Sequence, residues 1–433
     1  MKLCDISSFY SDQGGGVRTY HRQKLAFFVA HPEHSYVLLV AGPRNEVREV
    51  PGGRIYTVRG LPVSHGGTYR QITDVLQVRR ILRDERPDVI EVGSAYLDCW
   101  LAAASGIDWN PVVVGFYHAD FPDSYMAPAV KRFPRAFGRP FVRFWHNYVR
   151  FTYQRFDATC VTSRYIEGKL RSYGVENTVL LPLGVDAELF HPRNRDEELR
   201  RQLGVGPGEK LLLYVGRFGT EKGIEVLIEA LPRLAGMAGV HVVLVGIGPL
   251  EQELRARAGS CPRQHVLGYV SEPAELARLY ASADLFLAPG PFETFGLSVL
   301  EAMASGLPVV AAGSGGAAEL ARQTTAGLTF RPGDADDFMR QVCLALCNDL
   351  RGLGRLAREL AAGRYSWDRT FGSMVEAYEG LIDGNRSAVG GAPRRDPGLR
   401  GGGPEGREHP ARVGHPDARP GGHSESPRPL AAP

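Results

Sequence analysis

Cysteine is scarce in this chain of 433 residues: Cys4, Cys99, Cys160, Cys261, Cys343 and Cys347 include no CxxC pair and no histidine partner at metal-like spacing. A disulfide scaffold and a zinc finger are excluded on that ground, and the thiols read as reduced core residues of a cytosolic protein. Long apolar runs are missing as well. No stretch reaches the roughly 18 residues of a spanning helix, and the opening MKLCDISSFY places Asp5 and a run of hydroxyls where a signal peptide needs an apolar segment. The expectation is a cytoplasmic chain that meets a membrane, if at all, at its inner face. Excess charge of one sign is also lacking. The formal net charge is +3, and residues 384–433 alone hold eight arginines against five acidic residues, so the remainder is close to neutral. General basicity therefore gives no reason to expect nucleic acid, and an anionic partner must be met by a local patch.

What is present is apolar residues, at 43%, on a chain long enough for two domains. Short apolar runs, each followed by a turn and a helical pattern, recur at residues 36–40, 89–92, 112–116, 158–161, 211–215, 241–245, 285–288 and 309–311. Strands alternating with helices predict an α/β fold of parallel sheets covered on both faces. The series pauses between Leu183 and Lys210, which places a linker near residues 184–190. The expected organisation is a first domain over 1–184, a second over 185–365, a helix over 366–383 packing back on the first domain, and a disordered tail over 384–433. In that tail Val389, Leu399, Val413 and Leu430 are the only sizeable aliphatic residues.

Three glycine-containing runs in the second half fall at strand ends, where open α/β sheets bind ligands. Gly216-Arg217-Phe218-Gly219-Thr220-Glu221-Lys222-Gly223 puts two cations on one loop, suited to a diphosphate or equally to a charged surface turn. Gly246-Ile247-Gly248 is a turn that would let backbone approach a ligand, a weak signal alone. Most specific is the run from Pro289 to Glu301, PGPFETFGLSVLE. Glu293 and Glu301 lie eight residues apart, a little over two helical turns, so a helix starting near Glu293 would put both carboxylates on one face as acceptors for polyol hydroxyls.

These runs, with their continuation to GSGGAAEL, resemble the donor domain of the family-4 retaining glycosyltransferases of the GT-B fold, and the resemblance extends over about residues 1–382. It implies two facing Rossmann-like domains with a nucleotide-sugar donor, GDP-mannose or a UDP-hexose, in the cleft between them. It further implies Glu293 with Thr294, Phe295, Gly296 and Leu297 on the sugar, Glu301 on the ribose, and Arg217 and Lys222 on the phosphates. Gly216 and Gly248 would line the diphosphate, and the base would lie near Val270. No cofactor and no divalent metal are implied, because the two cations neutralise the leaving group and no Asp-x-Asp triplet is expected.

In the first half, Gly14-Gly15-Gly16 before a helix resembles the family's glycine-rich loop; Gly15 and Gly16 would face the donor, and Arg18 the acceptor. His118, just beyond the strand 112–116, matches a histidine that lines the reaction centre in related mannosyltransferases and glycolipid-making enzymes. Asp120 is a candidate for ordering an acceptor hydroxyl on a lipid or glycan. A catalytically silent nucleotide-sugar-binding module on the same fold is the alternative, disfavoured by the intact set of Arg217, Lys222, Glu293 and Glu301. Residues 126–156 interleave Arg139, Arg143, Arg150 and Arg155 with Phe141, Phe144, Trp145, Phe151 and Phe156, without an acidic residue. That pattern suits an anionic membrane surface, or a helix burying its aromatic side inward.

Overall fold

The computed structural model describes residues 1–10, 15–63, 69–94, 97–104, 108–126, 135–259 and 261–389. Gly14, residues 127–134 of the basic aromatic stretch and residues 390–433 of the expected disordered tail lie outside the described residues.

Among the described residues the chain builds two sheets. The first contains β1 (Lys2–Ser7), β2 (Ser35–Gly42), β3 (Glu46–Val50), β4 (Gly53–Pro62), β5 (Arg70–Ile72), β6 (Val89–Val92), β7 (Val112–Phe116), β8 (Ala158–Val161) and β9 (Thr178–Leu180). They run in the order β3-β4-β2-β1-β6-β7-β8-β9, with β5 also on β4; β3 and β5 are antiparallel to β4 and the other pairs are parallel. The second contains β10 (Lys210–Val215), β11 (Val240–Val245), β12 (Gln264–Leu267), β13 (Leu285–Ala288), β14 (Val309–Ala312) and β15 (Gly327–Phe330), in the order β12-β11-β10-β13-β14-β15 and parallel throughout. Helices cover both faces, so the central strands are buried on both sides, and all six residues of β11 are buried. The order of each parallel sheet reverses once, between β1 and β6 in the first and between β10 and β13 in the second. At such a reversal the following loops diverge and leave a crevice at the carboxyl ends of the strands.

One apolar cluster runs through both lobes and includes Phe28, Phe116, Leu183, Phe190, Phe286, Phe295 and Phe371. The final helix, Trp367–Val389, lies against the first lobe: Phe371 meets Tyr20 at 5.6 Å and Phe27 at 5.6 Å, and Tyr378 donates to Glu91 at 2.6 Å. This helix extends six residues into the segment expected to be disordered. Asn385 is buried, and the stretch from Gly384 to Val389 holds no proline to interrupt the helical ladder. The cysteines divide: Cys4, Cys99 and Cys160 are buried, whereas Cys261 is partly exposed and Cys343 and Cys347 are exposed, against the expectation of core positions.

A charged network is sealed inside the first lobe. Lys24 of the helix Gly16–Ala30 has a fully buried side chain and bonds Asp5 at 2.8 Å and Glu91 at 2.9 Å. Tyr20 and Tyr378 both donate to Glu91, and Tyr36 donates to Asp5 at 2.6 Å. Burial pushes the Lys24 ammonium down, but the two carboxylates outweigh it and its pKa stands above the ordinary lysine value. Charges so far from water persist only when paired this fully.

Candidate active site

The reversal between β10 and β13 brings the predicted loops together. After β10 the chain turns through Gly216 and Arg217 into the short helical turn Thr220–Lys222, and Gly223 takes φ +64° to enter the next helix. Lys222 Nζ donates to Glu293 Oε1 at 2.7 Å across 71 residues of sequence; both side chains are partly exposed, at 33% and 22%. Burial pulls the Lys222 ammonium down, yet Glu293 outweighs it, so its pKa lies above the ordinary value and the cation is kept. Arg217 is 48% exposed and lies 3.5 Å from Glu221 Oε1, a loose contact that leaves its guanidinium available.

The glycines of the next loop pack closely against the Arg217 loop. A Cβ on Gly246 would stand 1.9 Å from the Gly216 carbonyl oxygen, and one on Gly248 would stand 2.4 Å from that of Phe218. Phe218 N donates to the Ile247 carbonyl at 2.9 Å and Leu250 N to the Phe218 carbonyl at 3.0 Å, so the two loops are zipped together. Gly248 thus packs directly against the Arg217 loop.

The run after β13 also departs from expectation. Its helix begins at Leu297, not near Glu293, because Gly296 takes φ +96° and starts the helix only beyond it. The two carboxylates therefore do not share a helical face: Glu293 sits in the loop against Lys222, whereas Glu301 lies in the helix and accepts from Tyr280 Oη at 2.9 Å. Burial pushes the Glu301 carboxyl up to about 7, opposed by the Tyr280 hydrogen bond. Phe295 is buried in the shared core. Val270 is half-buried in the loop after β12, at the outer edge of the sheet.

The first lobe meets this loop directly. Thr294 Oγ1 donates to the His118 carbonyl at 2.9 Å, so Thr294 is committed to holding the lobes in register. A Cβ on Gly16 would come within 3.2 Å of Leu297 Cδ1, which sets the glycine turn against the start of the motif helix; Gly15, at φ +97°, and Arg18 belong to the start of the helix Gly16–Ala30. The His118 ring is stacked on Phe116 at 4.1 Å and meets the edge of Tyr20 at 5.1 Å. Its Nε2 is buried without a hydrogen-bond partner among the described residues. Burial, then His21 and Lys24, depress its pKa to about 3, so the imidazole is neutral at every working pH.

Asp120 stands apart from this group. It is buried, accepts from Tyr117 Oη at 3.0 Å and pairs with Lys169, whose Nζ also lies 2.5 Å from Asp123. Both of its oxygens are engaged, which suits a fixed turn better than an acceptor contact. That turn leads to Tyr125, a residue overlooked in the sequence. Burial and the Glu221 carboxylate push the Tyr125 phenol up while Lys222 and Arg217 pull it down, so it stands within electrostatic reach of the cation loop from the opposite lobe. Gly315 and Gly316 were overlooked too. Gly316 N donates to the Glu293 carbonyl at 2.7 Å, and a Cβ on Gly315 would meet that oxygen at 2.7 Å. The only available signal was the Ser-Gly-Gly run after β14.

Against the expectation that none is present, the chain holds an Asp-x-Asp triplet, Asp334-Ala335-Asp336; it opens the helix Ala335–Leu346, with Asp334 Oδ1 accepting from Asp337 N at 2.8 Å. No helix among the described residues is long and apolar enough to cross a membrane. The helix Arg135–Tyr153 exposes Phe141 and Phe144, and Phe151 stands 5.9 Å from the ring of Trp100, itself exposed. Val149 and Tyr153 are buried on its inner side.

Residues 209–348 match the family model described as glycosyl transferases group 1, and residues 14–189 match that of glycosyltransferase family 4. A GDP-mannose-dependent alpha-(1-6)-phosphatidylinositol dimannoside mannosyltransferase of Mycobacterium tuberculosis is 33% identical over 313 residues, covering 72% of this chain and 79% of the relative. A GDP-mannose-dependent alpha-mannosyltransferase of Corynebacterium glutamicum is 28% identical, covering 68% of this chain and 64% of the relative. Among solved structures, sucrose-phosphate synthase from Thermosynechococcus elongatus superposes with a TM-score of 0.73 at 22% identity, covering 89% of this chain and 100% of that one. Anabaena Alr3699/HepE in complex with UDP and glucose superposes with a TM-score of 0.64 at 20% identity, covering 88% and 99%. At these identities the superpositions establish the fold.

Proposed function

Because the chain belongs to the family-4 glycosyltransferases of the GT-B fold and is a nucleotide-sugar-dependent transferase, we propose that it moves a hexose of the mannose or glucose type, with retained configuration, from GDP-mannose or a UDP-hexose to a hydroxyl of a lipid or glycan. The observation that carries this reading is the Lys222–Glu293 pair at the β10/β13 reversal, 2.7 Å apart and open to the cleft. A diphosphate arriving there meets Lys222 and the loosely held Arg217, and Glu293 is then free to accept from sugar hydroxyls. Glu301 would accept from the ribose, and its high pKa suits a carboxyl that gains donors on binding. Gly15 and Gly16 would cover the sugar from the first lobe.

In the front-face mechanism the acceptor oxygen bonds the anomeric carbon on the side from which the diphosphate leaves, and its proton passes to a phosphate oxygen of the leaving group. No protein carboxylate is then needed as nucleophile. Lys222 and Arg217 stabilise the charge that grows on the diphosphate, an effect worth several kcal/mol in a water-poor cleft. His118, neutral and half-covered by Phe116 and Tyr20, would line the reacting face as a hydrogen-bonding group rather than a base, since its pKa is too low for it to hold a proton. The exposed aromatic face of Phe141, Phe144, Phe151 and Trp100 beside Arg143 and Arg150 supports peripheral docking on an anionic membrane, where a lipid acceptor would be met. Its place in the cell would then be the inner membrane face.

The test is a thermal-shift screen with GDP and UDP, followed by transfer from the matching sugar nucleotide with the product anomer read by NMR. The reading requires stabilisation by one diphosphate and a product of the donor's configuration. An inverted product, or no shift with either nucleotide, would overturn it.

A further inference from the structure

The Glu293 loop is gripped from two directions, and one helix links the grips. The helix Gly315–Arg322 begins under that loop: Gly316 N donates to the Glu293 carbonyl, and Ser314 Oγ donates to the Pro291 carbonyl at 2.8 Å. One turn further along, Glu319 reaches across to the first lobe. Its Oε2 accepts from Tyr165 N at 2.9 Å and its Oε1 from Arg164 N at 3.3 Å, capping the first turn of the helix Arg164–Tyr173. Directly before that turn, Thr162 Oγ1 and Ser163 Oγ donate to the Thr294 carbonyl at 3.0 and 2.7 Å. On its other side the same threonine donates its hydroxyl to the His118 carbonyl.

We propose that Glu319 is a positioning residue that sets Glu293 only when the lobes are docked, with Thr162 as its counterpart on the first lobe; the proposal rests on the reading of Glu293 as the sugar contact. Helix-terminal N–H groups have no intrahelical partner, and a carboxylate is their favoured cap. Ser163 Oγ caps Ile166 N from within the first lobe, whereas the Arg164 and Tyr165 N–H groups are met from the opposite lobe, so opening the cleft takes Glu319 from those two groups and frees the Thr294 carbonyl in the same movement. The helix Gly315–Arg322 is short and rigid, so a shift at Glu319 is passed to Gly316 and from there to the Glu293 backbone. Nucleotide contacts through Arg217, Lys222 and Glu301 belong to other elements. Loss of Glu319 should therefore lower turnover while leaving nucleotide binding alone.

The experiment compares the wild type with Glu319→Ala, Glu319→Gln and Thr162→Val in the full chain. Amide hydrogen exchange in the presence of the stabilising nucleoside diphosphate should show faster exchange at residues 164–167 and 293–296 in Glu319→Ala, with the rest of the chain unchanged. Unchanged exchange there overturns the proposal whether or not transfer is detected, which separates it from a failure of the functional reading. In the transfer assay kcat should fall about 10-fold or more for Glu319→Ala and less for Glu319→Gln, which keeps one acceptor, with donor KM within about threefold. A parallel rise in donor KM, or a loss of nucleotide-induced stabilisation, would mark a merely structural role and overturn it. Thr162→Val disturbs the Thr294 grip without uncapping a helix, so should Glu319→Ala fail to fold, normal kcat in Thr162→Val refutes the proposal and a reduced kcat at constant donor KM supports it.

Discussion

The two lobes each hold a lysine paired with acidic side chains, and the contrast between them separates structure from function. Lys24 in the first lobe is wholly buried, with Asp5 and Glu91 both within 2.9 Å. Lys222 in the second is a third exposed, with Glu293 as its close partner. A cation saturated by two buried carboxylates has no capacity left for a substrate and gives it up only at great cost. One that shares a single carboxylate at the water's edge exchanges partners cheaply when a phosphate arrives. Burial and partner count, more than residue type, mark which ion pair is a framework and which is a site.

That contrast is most sharply broken by Lys24→Met, which should leave Glu91 buried without its cation and Asp5 with His21 as its remaining basic neighbour, and cost about 3–5 kcal/mol. Urea unfolding measures it, and a loss below about 1 kcal/mol would show that the network is not a framework. Lys222→Ala should do the reverse, lowering turnover about 100-fold or more, near 2.7 kcal/mol in barrier, with the unfolding midpoint almost unmoved; Arg217→Ala should follow it. Normal turnover in either variant removes the phosphate assignment.

A smaller effect concerns pH. The Glu301 carboxyl is raised by burial from 4.5 to about 7, so in the ligand-free protein it contributes stability that is fully present below about 4.5 and is lost as pH rises through 7. Nucleotide binding should run the other way, weakening as pH falls below 7 because a protonated carboxyl has one acceptor fewer for the ribose. Isothermal titration between pH 5.5 and 8.5 should show that slope, and Glu301→Gln should flatten it; an equal slope in the variant would discard the role. Smallest of all, replacing Phe144 and Arg143 together by Ser and Glu should reduce sedimentation with anionic vesicles a few-fold, without changing nucleotide binding. Equal sedimentation by both proteins would assign that face to another purpose.

Most central strands were legible because they are short, doubly buried runs rich in Val, Leu and Ile, with few polar residues such as Glu91 and His241 to interrupt the pattern. The antiparallel edge was not, since β3, EVREV, is almost wholly exposed and reads as a charged loop. In the site, the residue types of Arg217, Lys222, Glu293 and Glu301 were evident from their runs, whereas the Lys222–Glu293 contact spans 71 residues and no local spacing encodes it. The shared-face argument for the two glutamates failed at one residue, Gly296, whose positive φ delays the helix. Lys24 was missed for a related reason: on a helix with a third of its positions exposed, a lysine looks like solvent-facing charge until the strands behind it supply two acids.

The closing helix has a bearing on how the protein is made. Tyr378 completes the Glu91 network from 287 residues away, and Phe371 fills the space between Tyr20 and Phe27. While the ribosome is still extending the chain, the amino-terminal half must therefore wait with an open seam along its interior, its charges only partly matched. It can seal only after Tyr378 has emerged, so translation arrested before residue 378 should leave both halves present and the first of them vulnerable to proteases.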